Sequence, residues 1–148
     1  MNPTVLTAWA PRVLSILRIM AALLFMEHGT QKLLGFPVAG DVAPMSPPLA
    51  SLPGVAGVFE LVGGFLLAIG LFSRPVAFLL SGQMAVAYFL VHTGADFSLA
   101  VETAKASVYP LLNRGELAAL YCFVFFYLFF AGPGPWSVDA ARAKGGAV

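Results

Sequence analysis

Four stretches of the chain are almost continuously apolar, over about residues 13–34, 54–72, 75–94 and 115–131. Each comes close to the roughly 20 residues that a helix needs to cross a hydrocarbon core. Apolar and polar residues do not alternate inside them. The run FVFFYLFF (123–130) has no polar face, which excludes the strands of a β-barrel. A segment surrounded by lipid must satisfy its own backbone hydrogen bonds, so the pattern predicts helices. The links differ in kind. Residues 35–53 hold Pro37, Pro44, Pro47, Pro48 and Pro53, too many for a long helix. Only Ser73 and Arg74 separate the second and third stretches, and Pro75 stands where a helix start tolerates it, so these two form an antiparallel hairpin. Residues 96–109 are weakly amphipathic and fit a short helix at the membrane surface. Gly132-Pro133-Gly134-Pro135 stops the fourth helix, and Trp136 is placed to anchor it among headgroups. The expected fold is all-α, an integral membrane four-helix bundle forming one domain over 1–148.

Composition excludes much else. Of 148 residues, 59% are hydrophobic and 10% charged, against about 45–50% and about 25% in soluble domains. Eight basic and seven acidic side chains leave a net charge of +1, too little to hold nucleic acid. The single cysteine, Cys122, permits neither an internal disulfide nor a CxxC redox pair and reads as a packing residue. The first apolar stretch reads as a retained helix, because Arg18 interrupts it and Glu27-His28 follows where a signal peptide has a small-residue cleavage site. Arg12, Arg74, Arg142 and Lys144 flank the side holding both termini, while Lys32, Lys105 and Arg114 flank the other. That bias predicts cytoplasmic termini and a multi-pass protein of the cell membrane.

Depth then gives the few polar residues a meaning. At 1.5 Å per residue, Glu27 lies about 10 Å below the end of the first helix, and Glu60 lies about 9 Å into the second. Tyr88 falls about 9 Å and His92 about 3 Å from the end of the third, with Asn113 and Glu116 at the mouth of the fourth. Four helices thus bring polar groups to the outer third of the bilayer. Glu27, His28 and Gln31 share an arc of about 100° on their helix, and Tyr88 and His92 are i, i+4 neighbours. Glu60 lies in a stripe of Ala56, Gly57, Gly63 and Gly64, small residues that let membrane helices approach closely, so it points into the bundle. An intramembrane charge costs about 2.5–3.5 kcal/mol on insertion scales. The cheapest arrangement is a network in which His28, Lys32, His92 and Arg114 compensate the carboxylates, with Glu27 and Glu60 close together or sharing a partner.

These residues also have plainer uses. Lys32 can snorkel to headgroups, Glu116 can favour a helix start through the dipole, and Asn113 can cap that helix. Arg18 reads as structural, and the Phe123–Tyr127 stripe reads as core. No phosphate loop, nucleophile elbow or catalytic triad is present. A haem pair is doubtful on depth, and the nonlocal Glu27, His28, Glu60 and His92 make only a weak metal signal. Acid and base groups in a semi-dry pocket suit proton exchange with a small redox molecule such as a quinone, with Phe25, Phe59, Tyr88 and Phe89 as candidate ring neighbours. They also suit binding or carriage of a small polar solute. A third use is a scaffold that docks a soluble redox partner through 35–53 or 96–109. The glycines of the second helix could equally pack against a second copy.

Three segments carry a resemblance. LRIMAALLFMEHGTQKLLGF (17–36), FELVGGFLLAIGLFSRP (59–75) and NRGELAALYCFVFFYLFFAGPGPWSVD (113–139) are similar to the DoxX family of small membrane proteins. The resemblance implies a four-helix bundle and a membrane subunit of a redox system. The family takes its name from subunits of an archaeal thiosulfate:quinone oxidoreductase, and other members are linked to oxidative stress. On that analogy Glu27, His28, Gln31, Lys32, Glu60, Asn113 and Glu116 match recurring polar positions, a quinone is the implied ligand, and a redox subunit the implied partner.

Overall fold

The computed structural model describes residues 2–38, 46–94 and 108–145. These residues are all-helical and contain no strand. Helix α1 spans Pro3–Leu34, α2 Leu52–Ile69, α3 Ser73–His92, α4 Pro110–Asn113, α5 Glu116–Ala131 and α6 Val138–Gly145. Three of them (α1, α2 and α3) are long and apolar enough to cross a membrane. At 16 residues, α5 is about 24 Å long and uniformly apolar, and it completes an up-down-up-down bundle. The amphipathic segment expected over 96–109 falls mostly outside the described residues, as does the middle of the proline-rich link.

Local chemistry explains where the helices begin and end. α1 starts ten residues earlier than its hydropathy predicts, because Asn2 accepts a hydrogen bond from the Thr4 N–H and Pro3 opens the first turn. Pro11 is accommodated within it on an exposed face. Ser51 caps α2 by accepting from the Gly54 N–H at 3.2 Å. Gly35 and Gly70 end α1 and α2 in the left-handed region, where a side chain would be strained. The expected two-residue turn at Ser73 and Arg74 lies earlier, at Gly70–Phe72, since Ser73 already belongs to α3. Two stretches are wound as π-helix: Phe59–Gly63 within α2 and Ala87–His92 at the end of α3. Such single-turn widenings gather at functional sites.

The bundle is built as two pairs, α1 with α2 and α3 with α5. Glycine makes the first pair possible. A Cβ on Gly29 would stand 2.5 Å from the backbone nitrogen of Leu61, and one on Gly64 would stand 2.5 Å from Met26 Cγ. Gly57 faces Lys32 and Leu33, and Gly63 faces Leu80 on α3. The small residues of α2 are therefore consumed by contacts within the chain rather than left for a second copy. Phe25, Leu67, Leu80, Phe125 and Leu128 form the shared core, with the rings of Phe25 and Phe125 edge-on at 4.9 Å. On α5 the buried positions are Ala118, Phe125 and Leu128, while Phe123 and Tyr127 face outward; the stripe read as core is one helical step out of phase.

The end that carries the termini is closed by polar contacts. Arg18, 1% exposed, donates to the carbonyls of Trp136 at 2.6 Å, Pro133 at 2.5 Å and Ala68 at 3.3 Å. Arg74 reaches the carbonyls of Phe129 and Phe130 at the last turn of α5. Asp139 accepts from the backbone N–H groups of Phe72 at 3.0 Å and Ser73 at 2.8 Å, and so caps α3 from a distant segment. Partial desolvation pushes this carboxyl up, but the donors of Ser73 and Phe72 and the charge of Arg142 outweigh it and hold Asp139 below the ordinary carboxylate range.

Two outcomes follow from this packing. Gly29→Ala should lower stability by about 1–3 kcal/mol, read as an earlier thermal unfolding midpoint in detergent, because the backbone of α2 must move away. The depressed Asp139 carboxyl contributes stability that is present above its unfolded value of about 3.9 and is lost as pH falls through the lower folded value. Wild type should therefore lose its stability advantage over Asp139→Asn as the pH is taken below about 4. A constant gap between the two across that range would contradict the capping role.

Candidate functional site: a pocket between the helix pairs

At the opposite end the two pairs diverge around a cavity of about 480 Å³, within the range of small-molecule sites. Phe25, His28 and Lys32 of α1 line one wall, and Ala56 and Glu60 of α2 the next. Gln83, Met84, Ala87 and His92 of α3 face them, and Arg114, Leu117 and Ala118 close the circle. Leu52, Val86, Val91 and Leu117 are exposed apolar residues at its rim. The smaller groove of about 210 Å³ between α2 and α3 is lined by apolar residues and Gly63.

Glu60 is 3% exposed and sits in the π segment of α2. Its Oε1 accepts from Lys32 Nζ at 2.5 Å. Its Oε2 is buried and has no hydrogen-bond partner among the described residues. Lys32 reaches it because Gly57 leaves room beside the lysine stem. His28 lies one turn below Lys32 on the same face and lines the same cavity as Glu60, and its ring meets Tyr121 edge-on. Gln83 donates from Nε2 to the Ala56 carbonyl at 3.3 Å. That acceptor fixes the amide orientation and leaves Oε1 buried without a partner. His92 Nδ1 lies 3.1 Å from the Asn113 carbonyl oxygen. A carbonyl only accepts, so Nδ1 carries the proton and Nε2 is left to take another.

Of the nine candidates drawn from sequence, His28, Lys32, Glu60 and His92 line the pocket. The other five are placed elsewhere. Glu27 lies on an exposed face of α1 near Tyr121 and shares no partner with Glu60. Gln31, one turn further on that face, points to the Pro37 carbonyl at 3.5 Å. Gly29 must meet α2, and the 100° step between successive residues then turns Glu27 and Gln31 away as it turns His28 and Lys32 in. Tyr88 donates to the Val108 carbonyl at 2.5 Å, and its ring packs where a Cβ on Gly115 would fall. Asn113 does not cap α5; its Oδ1 accepts from the Gly115 N–H at 2.7 Å and shapes the turn. Glu116 is exposed in the first turn of α5.

Among the polar lining residues Gln83 went unclaimed: it reads as an isolated amide in mid-helix, and its partner is a backbone carbonyl that carries no sequence signal. Arg114, expected to compensate the carboxylates, also lines the pocket and adopts a left-handed φ of 59°, unusual for a side chain other than glycine. Among the candidate ring neighbours, Phe25 lines the cavity, whereas Phe59 and Phe89 are exposed and outside it. No three His, Cys, Asp or Glu side chains among the described residues gather as a metal-holding group.

The architecture is thus that of a small membrane-spanning helical protein with a mainly apolar pocket, holding a buried ion pair, at the end away from its termini. A model of the DoxX family matches residues 13–93, which hold every pocket residue except those of the α4–α5 wall. A protein of Haemophilus influenzae described only as uncharacterized is 42% identical over 137 residues, covering 90% of this chain and 93% of its own length. No solved structure matches. The chain belongs to the DoxX family.

The buried pair makes a direct prediction. Lys32→Met should destabilise by about 3 kcal/mol, since it strands a carboxylate in the bundle. Adding Glu60→Gln to that variant should recover much of the loss. Thermal unfolding of the single and double variants in nanodiscs checks it; equal losses in both would show that the pair is not coupled.

Proposed function

We propose that this protein is the membrane subunit of a redox system and that its pocket holds the ring of a quinone-type molecule. One observation carries the reading: a buried carboxylate in the lining of a mainly apolar cavity gives one oxygen to a lysine and keeps the other without a partner among the described residues. In that position Glu60, with His28 beside it, exchanges protons with the bound ring while a partner subunit exchanges electrons with it. Lys32 tunes the carboxylate, and His92 Nε2 offers a second proton site. The exposed apolar rim at Leu52, Val86, Val91 and Leu117 supports entry of an apolar ligand from the lipid.

Carriage of a solute across the membrane has less support. Among the described residues the opposite end is filled by Arg18 and the residues bonded to it, which argues against a through-path. The basic residues Arg12, Arg74, Arg142 and Lys144 cluster at that closed end, which on the charge rule faces the cytoplasm and places the pocket toward the outer leaflet of the cell membrane.

Purified protein in nanodiscs should bind a short-tailed benzoquinone–hydroquinone couple, and Glu60→Gln should weaken binding of the preferred form by about tenfold. Thermal unfolding of the variant controls for its folding. Absence of binding by both redox forms to folded wild type would overturn the proposal.

A further inference from the structure

The pocket's hydrogen-bonding character is unbalanced. Its wall contains two buried acceptors, Glu60 Oε2 on α2 and Gln83 Oε1 on α3, and neither meets a donor among the described residues. Each has its other polar atom already engaged. Glu60 Oε1 is taken by Lys32 at 2.5 Å, and Gln83 Nε2 is spent on the Ala56 carbonyl at 3.3 Å. With Glu60 ionised beside Lys32, neither residue can turn round to present a donor without breaking a bond it has. The two residues stand on facing helices and both belong to the lining of one cavity, with the orphan atoms buried beside it.

We propose, on the reading given above, that this acceptor pair selects the reduced, hydroxyl-bearing form of the ring over the oxidised, carbonyl-bearing form. A hydroquinone brings O–H donors to the two acceptors. A quinone brings only carbonyl oxygens, which leave both protein oxygens unpaired and set lone pair against lone pair. A site built to hydrogen-bond a hydroxyl rejects an analogue that lacks it, because the buried protein groups are left unsatisfied. The pocket accordingly holds the reduced ring more tightly than the oxidised one.

The test uses full-length protein in nanodiscs under anaerobic conditions, with three probes: a decyl-substituted benzoquinone, its hydroquinone, and the dimethyl ether of that hydroquinone. The ether keeps the ring and tail but has no donor, so it separates hydrogen bonding from redox state. Wild type should bind the hydroquinone at least about tenfold more tightly than either of the others. Gln83→Met, which keeps the volume and removes the acceptor, should bring the three affinities together while the ring still binds. Equal or tighter binding of the quinone by wild type overturns the selectivity and leaves the pocket reading standing. Failure of all three probes to bind folded protein overturns the pocket reading, and this inference with it. Unchanged selectivity in a folded Gln83→Met protein shows that Gln83 is no part of the selection and overturns the acceptor pair.

Discussion

A charge inside a membrane bundle must find its partners within the protein, and this fold answers that demand in two opposite ways. At one end Arg18 is surrounded by backbone carbonyls, from Ala68 in α2 and from Pro133 and Trp136 in the closing segment. Three of its five N–H groups are engaged, and Nε is buried without a partner among the described residues. The consequence is a rigid end, in which three parts of the chain are tied to one guanidinium. At the other end Glu60 has one strong partner and one vacant oxygen. The first arrangement fills its space and the second leaves space open. Structure and function divide along that difference.

The same contrast orders the helices. Gly29, Gly57 and Gly64 bring α1 and α2 together so closely that a Cβ at each would crowd the backbone of Leu61, the side chains of Lys32 and Leu33, or Met26. That contact fixes the rotation of α1, which sends His28 and Lys32 to the cavity. The α3–α5 pair is packed by larger side chains, and the two pairs meet through the aromatic contact of Phe25 with Phe125 and Tyr121. Below those rings the bundle is full; above them the pairs part. The cavity is a product of pairing, since helices that pack two by two leave their unmatched faces toward each other.

Much of this was legible in the chain. Long apolar windows located all four principal helices, because crossing length is a coarse property that single substitutions do not hide. Helix ends were less legible: α1 begins at a cap formed by Asn2 and Pro3, outside the window of highest hydropathy. Depth arithmetic brought polar groups of all four helices to the outer third of the bilayer, and of these His28, Lys32, Glu60 and His92 line one cavity. Angular spacing grouped Glu27 and Gln31 with His28 on one arc but could not say which edge of that arc meets α2, and the close contact at Gly29 turns Glu27 and Gln31 away. The roles of Arg18 and Gln83 were hidden for a common reason. Their partners are main-chain carbonyls, which every residue owns and no sequence pattern reveals. The helix α6 and the remote cap from Asp139 were equally silent, since they depend on a polar segment folding back over the α2–α3 turn.

The widened turns at Phe59–Gly63 and Ala87–His92 bear on how such a chain can change over evolutionary time. A π turn carries one residue more than the α turn it replaces. Loss of a single amino acid from either stretch would let that turn rewind to the commoner form and leave the helix beyond in phase, because the wider turn absorbs its extra residue locally. Glu60 and His92 each sit in one of these stretches, so a deletion harmless to the span itself would still redirect the group it carries toward the pocket. Anywhere else in these helices the same deletion would rotate everything beyond it by about 100°.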